Sequence, residues 1–325
     1  MSAIVTLTMN PALDVTTTTP KVEPIHKLRC TAPRYDPGGG GINVARTIVR
    51  LGGDALAILP SGGATGAHVA RLMAEEAVPT QVIPIAGTTR ESFTVTDEAS
   101  GEQFRFVLPG PRLMACERRA CFEAVAAALP APGWLVAGGS LPPGVGNAFY
   151  AELAGFCRAR GIRFVLDTSG PALAACRGAN AFLIKPSATE LASLVGGPLG
   201  DESAELDAAL AIRASGYAEN VVVSLGARGA LIVTRSGHVR MPAPHIAARS
   251  GVGAGDAMLG AIVYKLASDV PLVAAVRYGI AAGAAAALAP GTQLMRSDDV
   301  DRLYADPSSL SGEYAKTCIG GRRDL

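Results

Sequence analysis

From about residue 111 the chain alternates short β-branched apolar runs with longer amphipathic stretches: WLVAGGS, NAFYAELAGFCRARG, IRFVLDTSG, PALAACR, AFLIKPS and TELASLVG. Apolar runs of this length, separated by helical segments, predict βαβ units around a buried parallel sheet. NVVVSLG and ALIVT then flank the turn Gly226-Ala227-Arg228-Gly229, and two strongly apolar helices are expected at about 254–267 and 272–288. In INVARTIVRLGG, Ile42, Ala45, Ile48 and Val49 share one helical face. Two segments break the rhythm. Val15 to Pro33 is rich in Thr and alternates charged with apolar residues, and FTVTDE and EQFRFV are joined at Ser100-Gly101. Both predict antiparallel strands outside the main sheet, forming a small β-lid from two separate excursions. The expected organisation is an α/β core over 1–14, 37–87 and 111–305, a lid over 15–36 and 88–110, and an aperiodic tail over 306–325.

Charge narrows the function classes. The 325 residues carry 29 basic and 28 acidic side chains, a net charge of +1, without the excess that phosphate-backbone binding requires. Nucleic acid is not an expected partner. The opening MSAIVTLTMNPALD has no basic stretch before its apolar residues, so no secretory signal is expected, and the most apolar run, Ile280 to Ala289, is too short to cross a bilayer. Six cysteines are scattered without a CxxC pair, which predicts reduced thiols and a cytoplasmic protein. The four histidines form no paired ligand motif, giving no support to a structural zinc site or a Ser/His/Asp hydrolase.

Four constellations carry candidate chemistry. Gly38-Gly39-Gly40-Gly41 precedes the helix that begins near Ile42, where free backbone N–H groups favour an anion. The run reads either as a substrate cradle with Asn43 pointing in or as a flexible turn. It is neither a GxxxxGK[ST] loop nor a GxGxxG fingerprint. Gly251-Val252-Gly253-Ala254-Gly255-Asp256 opens a second helix, and such a loop stabilises charge on a transferring phosphoryl group. Asp256 is there either a catalytic base or a plain helix cap. Lys185-Pro186-Ser187-Ala188-Thr189-Glu190 ends a strand, where α/β sheets bind ligands. Glu190, with Asp167 on the neighbouring strand end, reads either as a Mg²⁺ ligand or as a helix-cap acid. Finally, Asp14 follows the first strand, and Lys27, Arg29 and Arg90 lie in the lid segments, as a phosphate clamp or as surface charge. Together the four describe a phosphoryl-transfer site without a Walker motif.

GGGGINVAR and SGVGAGDAMLGAI are the two signatures that the chain shares with the ribokinase-like (PfkB-type) carbohydrate kinases, and over residues 1 to about 305 it resembles that family. KLRCTAP, GGATG, EASGEQFRFV, GSLPPGV and VVVSLG are similar, in the same order, to segments of its bacterial 6-phosphofructokinase branch, the isozyme-2 kind. The resemblance implies a mostly parallel central sheet between helices, with a β-lid that covers a sugar site and forms a homodimer interface. It implies ATP, Mg²⁺ and a monovalent cation such as K⁺ as cofactors. Asp256 would take the proton from the sugar hydroxyl, with Gly253, Ala254 and Gly255 as the anion hole. Asp14, Gly39, Gly40, Asn43 and Ser140 would hold the sugar, and Arg90 and Lys27 its phosphate. Lys185, Ser187, Ser224, Gly226 and Gly229 fall on ATP, Glu190 and Asp167 on Mg²⁺, and Ser250, Val252 and Gly291 on the monovalent cation. Ser187 departs from the family's Asn-x-x-Glu metal motif, and TMNPALD is closer to 1-phosphofructokinases and tagatose-6-phosphate kinases. The expected reaction is fructose 6-phosphate to fructose 1,6-bisphosphate. The alternatives are tagatose-6-phosphate kinase or 1-phosphofructokinase activity and, in another class, a non-catalytic sugar-phosphate sensor.

Overall fold

The structure is a computed structural model that describes residues 2–248, 250–289 and 293–306. The first half runs β1 (Ala3–Leu7), β2 (Ala12–Thr19), β3 (Arg34–Gly38), α1 (Gly40–Arg50), β4 (Leu56–Ser61), α2 (Gly63–Glu75), β5 (Thr80–Pro84), β6 (Arg90–Asp97), β7 (Gln103–Val107) and α3 (Ala115–Ala128). It continues with β8 (Gly133–Gly138), α4 (Phe149–Ala159), β9 (Arg163–Asp167), α5 (Gly170–Ala174), β10 (Ala181–Ile184), α6 (Ala188–Val195) and α7 (Glu202–Ala214). The last elements are β11 (Ala218–Ser224), β12 (Ala230–Thr234), β13 (Gly237–Met241), α8 (Ala254–Leu266), α9 (Leu272–Leu288) and α10 (Ser297–Ala305).

Among the described residues, the large sheet has nine strands in the order β13-β12-β11-β10-β9-β8-β1-β4-β5. Its strands pair in parallel except at the β11–β12 and β12–β13 hairpins. The uninterrupted apolar runs exist because both faces are covered: Leu135 and Ala137 of β8 pack with α3 and α4 residues, whereas Trp134 and Val136 face the layer of α1 and α8. In α1, Ile42, Ala45 and Ile48 are fully buried, as their shared face requires, and α8 packs on both α1 and α9.

The second sheet has four strands in the order β3-β2-β6-β7. Its outer pairs are antiparallel, but the central β2–β6 pair is parallel. The expectation of an all-antiparallel lid is corrected here. Alternation along each strand fixes which face is covered, and says nothing about the direction of a partner supplied from a distant part of the chain. In that pairing Asp14 lies opposite Ser92, and Arg90 opposite Ala12. Gly291 and residues 307–325 of the expected tail lie outside the described residues.

Candidate active site between two cavities

Helix α8 begins where Gly253 adopts φ 74°, a left-handed conformation that lets the chain turn sharply into the first helical turn. Gly253, not Asp256, occupies the cap position. Asp256 lies within the first turn, and its side chain is not capping the helix but meeting α1: Asn43 Nδ2 donates to Asp256 Oδ2 at 2.9 Å. Burial pushes the Asp256 carboxyl up from 3.8 to about 6, with Asp167 and Asp14 adding to the rise and Asn43 and Lys185 opposing it. A carboxylate at about 6 is ionised at neutral pH yet basic enough to accept a proton in a transition state.

On the α1 side of the start of α8 a small cavity is lined by Asp14, Asn43, Thr47, Val252, Gly253 and Met295. Close packing around Asp14 explains the start of the glycine run: a Cβ on Gly38 would fall 2.3 Å from an Asp14 carboxylate oxygen. Gly39 caps α1, and Gly40 begins it against the backbone of Gly138 and Gly139 at the end of β8. The run is thus a packed junction. Burial raises Asp14 to about 6 as well, against the opposing charges of Arg90 and Arg105. Ser140 lies just beyond β8, where its hydroxyl accepts a hydrogen bond from Asn10 Nδ2 at 3.0 Å.

Asn10 was not among the sequence candidates. It is 7% exposed, and its Oδ1 has no partner among the described residues. The signal available was a polar residue in TMNP, three positions past the end of a buried strand. Arg90 reaches the same corner, donating to the Asn10 carbonyl at 3.2 Å, the Leu108 carbonyl at 3.1 Å and Ser92 Oγ at 3.4 Å. Burial holds its guanidinium below the usual arginine range, with Asp14 opposing that shift. Lys27 and Arg29 lie in the exposed loop between β2 and β3, and among the described residues no hydrogen bond or ion pair joins the Lys27 side chain to Asp14 or Arg90.

A second cavity at the start of α8, of about 630 Å³, is lined by Lys185, Glu190, Ser224, Gly226, Gly229 and Gly255, with Met258 and Ile280 supplying apolar wall. The turn after β11 is closed by Leu225 N–H donating to the Gly229 carbonyl at 2.9 Å. Arg228 in that turn pairs with Glu205 of α7, which also holds Arg240 of β13 at 2.9 Å. Lys185 is buried and paired with Asp167 at 3.1 Å. Burial alone would lower the Lys185 pKa, but Asp167, then Asp256 and Glu190, outweigh it and raise the value, so the ammonium stays charged. A Cβ on Gly255 would lie 3.2 Å from Lys185 Nζ, which puts this cation under the first turn of α8.

Ser187 and Glu190 form a capping box at α6: the Ser187 N–H and hydroxyl donate to Glu190 Oε2 at 2.8 and 2.9 Å, and Glu190 N–H donates back to Ser187 Oγ at 3.2 Å. Among the described residues no group of three or more His, Cys, Asp or Glu gathers as a metal cage. The donor set nevertheless fits Mg²⁺. That ion uses one or two carboxylates plus substrate phosphates, and Asp167 and Glu190 both line the larger cavity. Ser250 and Val252 are joined by a Val252 N–H···Oγ bond at 3.2 Å. No helix among the described residues is long and apolar enough to cross a membrane.

Residues 3–299 match the pfkB family carbohydrate kinases. The ATP-dependent 6-phosphofructokinase isozyme 2 of Mycobacterium tuberculosis is 47% identical over 310 residues, 94% of this chain and 91% of that protein. The isozyme 2 of Escherichia coli is 46% identical over 306 residues, 94% of this chain and 99% of that one. The crystal structure of phosphofructokinase-2 from Escherichia coli in complex with substrates and products superposes with a TM-score of 0.89 at 46% identity, covering 93% of this chain and 98% of that one. The glycine run before α1 and the loop before α8 both lie inside the matched span, and the chain belongs to the pfkB family of carbohydrate kinases.

Proposed function

We propose that the protein is an ATP-dependent 6-phosphofructokinase that transfers the γ-phosphoryl group of ATP to fructose 6-phosphate, giving fructose 1,6-bisphosphate and ADP. The observation that carries this reading is a shared wall. Val252 and Gly253 line the smaller cavity, Gly251, Ala254 and Gly255 line the larger one, and Asp256 belongs to the helix turn that these residues open. A sugar hydroxyl entering from the Asp14 side and a nucleotide entering from the Ser224–Gly229 side meet at the start of α8.

In this reading Asp256 accepts the hydroxyl proton as the oxygen attacks phosphorus. The N–H groups of Gly253, Ala254 and Gly255, with the positive end of α8, offset charge on the transferring group. Phosphoryl transfer has a loose transition state, so alignment and electrostatics carry most of the catalysis. Asp14, Gly39, Gly40, Asn43 and Ser140 hold the sugar, and Arg90 with Lys27 holds its phosphate. Lys185, Ser187, Ser224, Gly226 and Gly229 hold ATP. Glu190 and Asp167 would hold Mg²⁺, which neutralises phosphate oxygens when bound. Ser250, Val252 and Gly291 are the reading's K⁺ loop, of which Gly291 lies outside the described residues.

The lid also serves as the contact between two copies of the chain, supported by the exposed apolar side chains of Tyr35, Phe106, Val107 and Leu108 on its edge strands and the segment after β7. Sedimentation of the ligand-free protein as a monomer would remove this element. The scattered cysteines, without a CxxC pair, support a cytoplasmic enzyme in this reading.

A coupled ADP-release assay with ATP, Mg²⁺ and a panel of ketohexose phosphates tests the reaction. The highest kcat/KM is expected with fructose 6-phosphate. A higher value with tagatose 6-phosphate or fructose 1-phosphate moves the assignment to another branch of the family. Tight binding of a ketohexose phosphate without transfer at saturating Mg²⁺ makes the protein a sensor.

A further inference from the structure

Arg46 lies one helical turn after Asn43 in α1, and only 2% of its surface reaches solvent. A cation this deep is held by several acceptors at once. Its Nε and Nη2 grip Glu76, at the end of α2, at 2.7 and 2.5 Å. Nη1 donates to the Pro37 carbonyl of lid strand β3 at 3.1 Å and to Asn43 Oδ1 at 3.2 Å. Nη2 also stands 3.6 Å from Asp36 Oδ1. The other end of the same Asn43 amide is the donor to Asp256 at 2.9 Å.

A primary amide can sit in either of two orientations that exchange its oxygen and its NH₂ group. A guanidinium has only donors and an ionised carboxylate only acceptors, so the two neighbours of Asn43 select the same orientation. Oxygen toward Arg46 and NH₂ toward Asp256 satisfies both. The reverse turns NH₂ against guanidinium and oxygen against carboxylate, losing two hydrogen bonds together. Without the Arg46 donor only the Asp256 contact would hold the amide, and Asn43 would be free to rotate away about its side-chain bonds.

We propose that Arg46, clamped by Glu76, is a positioning residue for phosphoryl transfer: it fixes the Asn43 amide so that its NH₂ group holds the Asp256 carboxylate in line with the attacking hydroxyl. This rests on the reading of Asp256 as the base. Because the same guanidinium grips Pro37 and Asp36, the root of β3 and the base are fixed to one buried cation.

The test measures kcat at saturating fructose 6-phosphate and ATP, the KM for ATP, and the thermal midpoint of the full-length enzyme. Glu76 is 24% exposed at its side chain, so Glu76→Gln keeps a folded protein while setting an NH₂ group against one guanidinium donor. Its kcat should fall about threefold to tenfold, and that of Arg46→Met about tenfold to a hundredfold, the range set by small misplacements of reacting groups. Arg46→Lys should recover part of the loss, and the KM for ATP should stay within about twofold in all three. In an Asp256→Asn background the same substitutions should cost almost nothing further, because the group they position is gone. If Arg46→Met does not fold, Glu76→Gln and Arg46→Lys decide the matter. Wild-type kcat per folded molecule in those variants, even with a lowered thermal midpoint, overturns the proposal and leaves Arg46 a structural ion pair. Retained turnover in Asp256→Asn alone instead overturns the base assignment, which separates the two failures.

Discussion

Asp256→Asn should separate activity from stability, because the two depend on opposite properties of one carboxylate. In the folded protein its pKa rises from 3.8 to about 6, chiefly through burial. A raised carboxyl pKa means that the folded state binds the proton more tightly than the unfolded chain. The favourable contribution is therefore fully present below the unfolded value and is lost as pH rises through about 6. A difference of roughly 2 units, at about 1.4 kcal/mol each, makes the ionised group cost about 3 kcal/mol at pH 8 and about 1.5 kcal/mol at pH 5. Asparagine carries no charge at either pH and still offers an oxygen to Asn43 Nδ2, so that hydrogen bond survives. In the ligand-free protein the substitution should raise the free energy of unfolding by about 3 kcal/mol at pH 8 and by about half that at pH 5, while kcat falls on the order of 10²- to 10⁴-fold. Urea unfolding of both proteins at the two pH values, alongside the coupled kinase assay, measures all four quantities. A loss of stability at pH 8, a gain that does not change with pH, or turnover near wild type would each refute the reasoning.

Gly38→Ala puts a Cβ 2.3 Å from the Asp14 carboxylate, and relieving an overpacked contact costs about 1–3 kcal/mol, so the sugar-phosphate KM should rise roughly fivefold to 150-fold with ATP KM unchanged. An unaltered sugar KM would mean that Asp14 does not touch substrate. Arg90→Ala should weaken sugar-phosphate binding about tenfold to 150-fold, the loss of one charge-assisted hydrogen bond, and equal losses for ATP would reduce Arg90 to a strap between β2, β6 and the Leu108 segment. Ser187→Ala removes the hydroxyl half of the α6 capping box and should lower stability by about 1 kcal/mol in urea unfolding; an unchanged midpoint would show that the backbone bond to Glu190 alone suffices.

The turns that build the candidate site were legible because their backbone announces them. Gly253 needs a left-handed φ, and a glycine loop running into an apolar helix marks that conformation in the sequence, so Asp256 could be found from its neighbours. Glu190 was legible as a helix-cap acid, one of its two readings, whereas the hydroxyl that completes the capping box, Ser187, was not. Arg46 was not. In INVARTIVR it reads as the solvated cation of an amphipathic helix, and the acid that pairs with it, Glu76, sits thirty positions away, just after α2. Asn10 was missed for a related reason, since its partner Ser140 comes from the far end of a different strand. The alternation of β2 and β6 showed two half-covered strands, and only the tertiary fold supplied their parallel pairing.

That pairing makes the lid a shared product of two distant pieces of the gene. The excursions that carry β2–β3 and β6–β7 are separated by α1, β4, α2 and β5, so no contiguous cassette encodes the lid, and a chimera that exchanges one excursion must zip strands from two parents. Adding or deleting one residue within β2 would shift Asp14 off Ser92 and turn its side chain to the opposite face. The length changes that leave this register intact are those at the tips, between Thr19 and Arg34 and between Asp97 and Gln103. Among natural variants the centre of the lid should keep a fixed length while those two tips grow and shrink independently.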